Sequence, residues 1–478
     1  MASVASLGVG SNLDLSGLLT SLTTAESQPL VMLQKQQVSY TAKLSAYGTL
    51  KNALSSFQSA ASKLADATLF QGVKATSSAT DVMTASASAS GAPGSYTVNV
   101  TRLASAQSLA ATGVTDAKAA VGKGVVTLDF GTIAGGTLDG TTGTYSGASF
   151  TPDAARTAQS VVIDDSNNSL EGLRDAINAK ADIGVSASIV NDGGTSPYRL
   201  VLTSRETGDI SSMRISVAGD ASLQGLLNHD ASGAQALQQT TAGGNALLTV
   251  GGVPVTSKTN TVAEAAPGVT MTLSKIGAST LTVSRDTGSV ESAVSSFVTA
   301  YNSLQATAGQ LSRYDTEKNA GAALVGDSTL RTIQTRIRAA LNTPQVGELK
   351  VLSKVGVSFQ KDGTLTLDAT KLRTALADNR SAVSELFAGA AGNTGVGKQV
   401  SALVDTFTGA SGMLNAATTG VKTTLKSLDN QYAATETRVQ ATVARYRAQF
   451  TQLDLMVSRM TSTSNYLTQQ FANMSSSK

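Results

Sequence analysis

From Leu425 onward the apolar positions recur every seventh residue: Leu425, Tyr432, Val439, Tyr446, Leu453, Met460 and Leu467. A second row shadows the first at Leu428, Val443, Phe450, Met456 and Phe471. No proline follows Pro344 and no glycine follows Gly420, so the two strongest helix breakers are missing from this stretch. A seven-residue repeat kept in step for so long draws a narrow seam along one straight helix of roughly 50 residues, about 75 Å in length. A lone helix cannot bury such a seam. A matching stripe at three-and-four spacing lies near the other end of the chain: Leu33, Tyr40, Leu44, Tyr47, Leu50, Leu54, Phe57, Ala61 and Leu64. The pattern predicts an N-terminal helix that starts near Ser27, with Pro29 in its first turn. It is weakened at Gly48, runs to about Phe70, and is closed by Gly72.

The texture then changes. Residues 75–92 form a low-complexity Ala/Ser/Thr tract that reads as a weak strand or linker. Tyr96, Val98 and Val100 alternate with Thr97, Asn99 and Thr101, the period of a half-buried strand. Glycine punctuates residues 113–285, where short strands are predicted at Val125–Phe130, Val185–Ile189, Arg199–Thr203, Leu247–Val250, Val269–Leu273 and Leu281–Ser284. One helix interrupts them, with Asn168 and Glu171 as a capping pair ahead of Leu170, Leu173 and Ile177. Helical spacing returns at Val290, Val294, Phe297, Tyr301, Leu304, Ala308 and Leu311. Asp327 is placed to cap a further helix through Leu330, Ile333, Ile337 and Leu341, and Asp362-Gly363 joins a hairpin.

The order helix, strands, helix brings the two ends of the chain together. The predicted fold is α+β and multidomain: terminal coiled-coil-like helices and a helical inner domain form a leg, and β-rich head domains are inserted between the helical segments. The expected parts are an N-terminal leg segment, 1–45, partly disordered; a helical inner domain, 46–74 with 286–420, carrying a hairpin near 355–368; a β-rich head, 75–115 with 246–285; an outer β-rich head, 116–245; and a C-terminal leg helix, 421–478. The inner seams, 45–70 and 415–440, suit either the core of one helical hairpin or a contact between subunits. Opposite residues 441–471 the chain offers only residues 1–30, too lean to cover a seam. That favours packing between subunits, or order gained on assembly.

Composition narrows the chemistry. The 478 residues leave room for about three domains, with 41% hydrophobic but only 4% aromatic residues and no tryptophan, so the cores are lean. A net charge of +3 without a basic cluster gives no reason to expect nucleic acid. The lack of cysteine rules out disulfides and thiolate chemistry. The segment MASVASLGVGSNLDLSGLL has neither a basic start nor a long apolar core, so it does not read as a secretory signal. No stretch approaches the ~20 apolar residues of a membrane span.

His229, the only histidine, lies in a polar loop and reads as a surface residue, which removes Ser/His/Asp catalysis and leaves zinc with carboxylates alone. The run from Gly392 to Gly397 and Lys398 imitates a phosphate-binding loop. Gln399 stands where a magnesium-binding hydroxyl belongs, however, and a helix rather than a strand precedes it, so it reads as a loop between helices. No two carboxylates stand out as acid and base. Lys35, Lys43 and Lys51 read as a solvated helix face, or else as a site for an acidic partner. No catalytic residue, metal site or cofactor is predicted.

Segments along the chain then carry a resemblance: GVGSNLDLSGLLTSLTTAESQPL, YTAKLSAYGTLKNALSSFQ, GAPGSYTVNVTRLASAQSL, SLEGLRDAINA, YRLVLTSRETG, SSFVTAYNSLQ, GDSTLRTIQTRIR, VGVSFQKDGTLTLDATKL and YRAQFTQLDLMVSRMTSTSNYLTQQF. In this order they resemble the flagellar filament-capping family, the hook-associated protein 2 family; residues 113–165 match least. The resemblance implies a non-enzymatic cap at the distal tip of the filament, promoting polymerisation of exported flagellin and preventing its loss. It implies a ring of about five or six copies, contact with flagellin and hook–filament junction proteins, and an export chaperone on the C-terminal segment. It further implies secretion without a cleaved signal, with neither nucleic acid nor membrane insertion. Another axial component, either flagellin-like or from the hook–filament junction, and a surface adhesin using the head domains are the alternatives. Residues 326–338 and 355–372 are more cap-like than axial.

Overall fold

A computed structural model describes residues 13–317, 319–392 and 394–475. The first twelve residues of the expected N-terminal leg lie outside that range. Among the described residues eight α-helices form: α1 (Leu15–Leu64), α2 (Leu170–Ala179), α3 (Ala221–Leu227), α4 (Thr287–Ser312), α5 (Ser328–Asn342), α6 (Ala369–Ala388), α7 (Val396–Thr408) and α8 (Met413–Ser475). The chain divides into two compact units, Met1–Phe70 with Thr287–Lys478, and Gln71–Asp286.

In the helical unit α1 starts at Leu15, not near Ser27, because the Asp14 carboxylate caps it by accepting from the Gly17 amide at 2.8 Å. Pro29 therefore sits inside the helix, where it removes one backbone hydrogen bond, and residues 15–45 are helical. The helix stops at Leu64, and a 3-10 turn at Ala67–Phe70 carries the chain out, so Gly72 does not close it. Helices α4, α7 and α8 pack directly on α1, α5 and α6 pack in turn against α7, and the core they share includes the fully buried Phe57. Its ring lies 5.1 Å from that of Phe297 and 5.7 Å from that of Tyr301. Tyr301 meets Phe359 edge-on at 5.9 Å and donates to the Gly363 carbonyl at 3.1 Å. Phe359 belongs to the expected hairpin, which pairs Val357 with Leu367 and Phe359 with Leu365. Its turn needs Gly363, whose φ is +84°. At Asn379 the backbone of α6 leaves the helical region, and the Asn379 side chain restarts the helix by accepting from the Ala382 amide.

The β unit holds two cores. In the first, a five-stranded antiparallel sheet runs in the order Val73–Ser77, Gly277–Arg285, Gly94–Arg102, Ala246–Val250, Val253–Ser257. A three-stranded sheet of Thr261–Ala266, Val269–Leu273 and Met83–Ala87 shares its core, with Met83, Val98, Leu248, Met271 and Leu281 buried. The Ala/Ser/Thr tract thus contributes Met83–Ala87 and most of Val73–Ser77. In the second core, Gly124–Asp139 pairs with Ser212–Gly219, Thr144–Pro152 and Gln159–Ile163. A sheet of Gln238–Thr241, Ser108–Ala110, Tyr198–Ser204 and Val185–Asn191, together with α2 and α3, completes it.

Two expectations are corrected here. Residues 108–115 belong to the outer core, since Ser108–Ala110 pairs with Tyr198–Ser204 and Val114 bridges to Tyr198. The cap of α2 is Ser169, whose hydroxyl accepts from the Gly172 amide at 3.1 Å, not the Asn168–Glu171 pair.

Candidate assembly seam

The two terminal helices run antiparallel. Gln37 of α1 donates to Asp429 of α8 at 2.7 Å, and farther out Tyr446 of α8 donates to Glu26 at 3.3 Å. Along this pair the seam residues change environment in three stages. Tyr47, Leu50, Leu54, Phe57 and Leu64 are fully buried in the helical core, and Leu428 and Val439 are buried as well. Leu33, Tyr40, Leu44, Leu425, Tyr432, Val443, Tyr446 and Phe450 are half-buried. Beyond them Leu453 is 39% exposed, Met456 62%, Met460 67%, Leu467 48% and Phe471 67%.

The middle stage is incomplete. Thr23, Ser27 and Leu30 of α1 face Val439, Val443 and Ala448 of α8 across an open groove of about 670 Å³. Small polar residues on α1 leave room that leucines would fill. The outer stage is bare: Met456, Met460, Leu467 and Phe471 recur at four or seven residues and, with Leu455, form one apolar stripe on α8. The heptad rows alone omit Leu455 and Tyr466, which are 50% and 61% exposed. The adjacent Leu455-Met456 pair is the signal that the stripe is wider than a two-residue seam. Val31, Met32 and Val38 of α1 are likewise exposed and lie outside the predicted stripe. Fully burying one Leu, Met or Phe side chain contributes about 1.5–3 kcal/mol, so the bare stripe is a substantial reserve of binding energy.

Two residues weighed for chemistry have other roles. His229 is not a surface residue. It is buried in the outer β core, its backbone exchanges two 2.8 Å hydrogen bonds with Ile215, and among the described residues neither ring nitrogen finds a partner in hydrogen-bond geometry. Burial pushes its pKa down to about 4, only partly opposed by the Leu237 backbone and the Asp230 carboxylate. Lys43 departs from the solvated face expected of it. Its ammonium lies 2.8 Å from the Asp327 carboxylate, which also caps α5 through the Leu330 amide and accepts from Tyr47 at 2.7 Å. Burial works to raise the Asp327 pKa, but the contacts from Lys43, Tyr47 and the Leu330 amide prevail and hold it below the usual carboxylate value. Lys35 and Lys51 stay exposed.

The phosphate-loop imitation joins α6 to α7, and its Asn393 lies outside the described residues. A side chain at Gly397 would meet the Ala65 amide at 2.7 Å and the Ala61 carbonyl at 2.8 Å, so this glycine allows α7 to touch the end of α1. Lys398 is exposed. Among the described residues no group of three His, Cys, Asp or Glu could hold a metal ion, and no helix is long and apolar enough to cross a membrane.

Comparison with known proteins places these features in context. Models of the flagellar hook-associated protein 2 N-terminus and C-terminus match residues 11–107 and 243–462, and a flagellin hook IN motif matches residues 157–206. The chain is 41% identical to flagellar hook-associated protein 2 of Escherichia coli K12, with 100% of both chains covered. It is 39% identical to that of Salmonella typhimurium, again over 100% of both. Among solved structures, the D1-D2-D3 domains of the flagellar cap protein FliD from Escherichia coli superpose with a TM-score of 0.63 at 36% identity, over 79% of this chain and 99% of that one.

Proposed function

Because this chain belongs to the flagellar hook-associated protein 2 family, we propose that it is the structural cap at the distal tip of the flagellar filament, promoting polymerisation of exported flagellin and preventing its loss. The observation that carries the mechanism is the bare stripe Leu455–Phe471 at the end of a helix whose root is firmly packed. A helix fixed at one end and apolar at the other is a leg. Its outer stripe lies against the filament end, where the flagellin helices must also bury theirs. Leg and subunit thus compete for the same kind of surface. A contact of a few exposed side chains is strong enough to hold and weak enough to release as each subunit folds. The free energy of flagellin folding then moves the cap, without any catalytic group on this chain.

The finer reading is that about five or six copies form a ring whose legs touch flagellin and, at the start of growth, the hook–filament junction proteins. The same stripe, exposed before assembly, suits an export chaperone that covers the C-terminal segment on the way to an uncleaved, extracellular state. Deletion of residues 441–478 tests the leg. Cells carrying it should release flagellin monomer into the medium and build short filaments or none. Normal motility would contradict the role.

A further inference from the structure

Charge is divided unevenly between the two units. Gln71–Asp286 carries 13 Lys/Arg against 17 Asp/Glu, net −4, which leaves 23 against 16, net +7, for the helical unit. The excess is densest on α5, where Arg331, Arg336 and Arg338 lie within fifteen residues that contain no acid. All three are exposed, and among the described residues none has an ion-pair partner. Arg331 and Arg338 are two turns apart on one face, about 10 Å along the axis. With Gln305, Gln334, Thr335 and Asn342 they line a cleft of about 550 Å³. Gln334 donates to Gln305, which donates to Tyr301, so the amides are held in place from below. The Arg338 guanidinium lies over the hairpin turn, in the space that a side chain on Gly363 would occupy. A solvated helix face usually interleaves both signs; this one presents only cations and polar groups.

The geometry points to a binding face for carboxylates, and we propose that it grips the acidic segment 164–182 of a second copy of this chain. The segment holds Asp164, Asp165, Glu171, Asp175 and Asp182, five of the β unit's 17 acids in nineteen residues, against Arg174 and Lys180. Asp165 and Asp175 keep 84% and 67% of their side-chain surface exposed although each has one cationic neighbour. Carboxylates accept from the guanidinium fork through two oxygens, and two arginines spaced along a helix read a string of acids better than a single charge. A patch that meets a different patch on the next copy is a heterologous contact, the kind that closes into a ring. The inference rests on the self-assembling cap proposed above.

Native mass spectrometry of the full chain at about 0.1 M salt tests it, at an ionic strength where charge contacts still act over roughly 10 Å. Four proteins are compared: wild type, Arg331→Glu with Arg338→Glu, Asp165→Arg with Asp175→Arg, and all four changes together. Each charge-reversed pair should weaken self-association by about tenfold or more, and the quadruple variant should recover most of the loss. Unchanged circular-dichroism melting shows that the variants fold, as exposed positions allow; Arg331→Gln with Arg338→Gln replaces the reversal if they do not. A wild type that is monomeric at every concentration contradicts self-assembly itself. An assembling wild type with an unaffected arginine variant overturns only the α5 contact. Arginine sensitivity without rescue by the quadruple variant overturns the acidic segment as its partner.

Discussion

The root and the tip of the C-terminal helix carry the same seven-residue repeat, yet they end in opposite environments. At the root Leu428 is buried, and farther along so is Val439. At the tip, Met460 and Phe471, in the same rows, are each 67% exposed. The repeat specifies that a face is to be covered; it does not say by what. What separates root from tip is the partner: α1 brings Tyr40, Leu44 and Tyr47 to the root, but only Thr23, Ser27 and Leu30 to the middle. One helix is therefore core at one end and a bare apolar face at the other.

Phe57→Ala should give the largest change in stability and sharpen the contrast. It empties the centre of the helical core, and truncation of a buried aromatic costs about 3–5 kcal/mol. Calorimetry should show the helical unit melting earlier while the β unit holds its transition. A single transition that shifts as a whole would mean that the two units fold together.

Acid should reverse the order of damage. His229 stays neutral in the folded β unit down to about pH 4, whereas the unfolded chain takes up its proton near pH 6.5. Stability from this residue is therefore full above pH 6.5 and falls as the pH drops towards 4, by about 3 kcal/mol. Asp327 behaves differently: its folded pKa is depressed, so its contribution persists above the ordinary carboxylate range and is lost only below it. Hydrogen exchange between pH 7 and 4.5 should show the outer β core loosening before the helical unit, and His229→Gln should alter that response. Equal loosening of both units would contradict it.

A smaller effect is expected at the tie between α1 and α5. Asp327→Asn keeps a capping group but strips Lys43 of its ion pair, a loss of about 1–3 kcal/mol confined to the helical unit. Smallest of all is the tip: Met460→Ser should change the melting temperature hardly at all, since exposed positions stay within about 0.5 kcal/mol. A large loss there would show that the stripe is covered within the chain.

Much of this was legible in the sequence where local physics decides. The short strand Val269–Leu273, the Asp362-Gly363 turn and the Asp327 cap each depend on neighbours within a few residues, and each lies where the pattern predicts it. What failed depends on distant parts of the chain. Pro29 suggested a helix start, but the Asp14 cap and the α8 contact carry α1 through it. His229 looked solvated among Gly, Ser and Gln; pairing with Ile215, fourteen residues earlier, buries it. Lys43 matched a lysine repeat until Asp327, far along the chain, gave it a partner. The seam itself was legible as a pattern. Where its cover stops depends on how many apolar residues α1 places opposite, which periodicity in α8 cannot register.

The most direct measurement substitutes the stripe without touching the fold: Met456→Ser, Met460→Ser, Leu467→Ser and Phe471→Ser together, in cells otherwise able to build filaments. The purified variant should melt as the wild type does, because these side chains are exposed. The cells should nonetheless shed flagellin into the medium and carry stunted filaments, as the deletion does. Full-length filaments on such cells, with the altered protein present at their tips, would contradict the claim that the bare end of α8 is the surface by which the cap works.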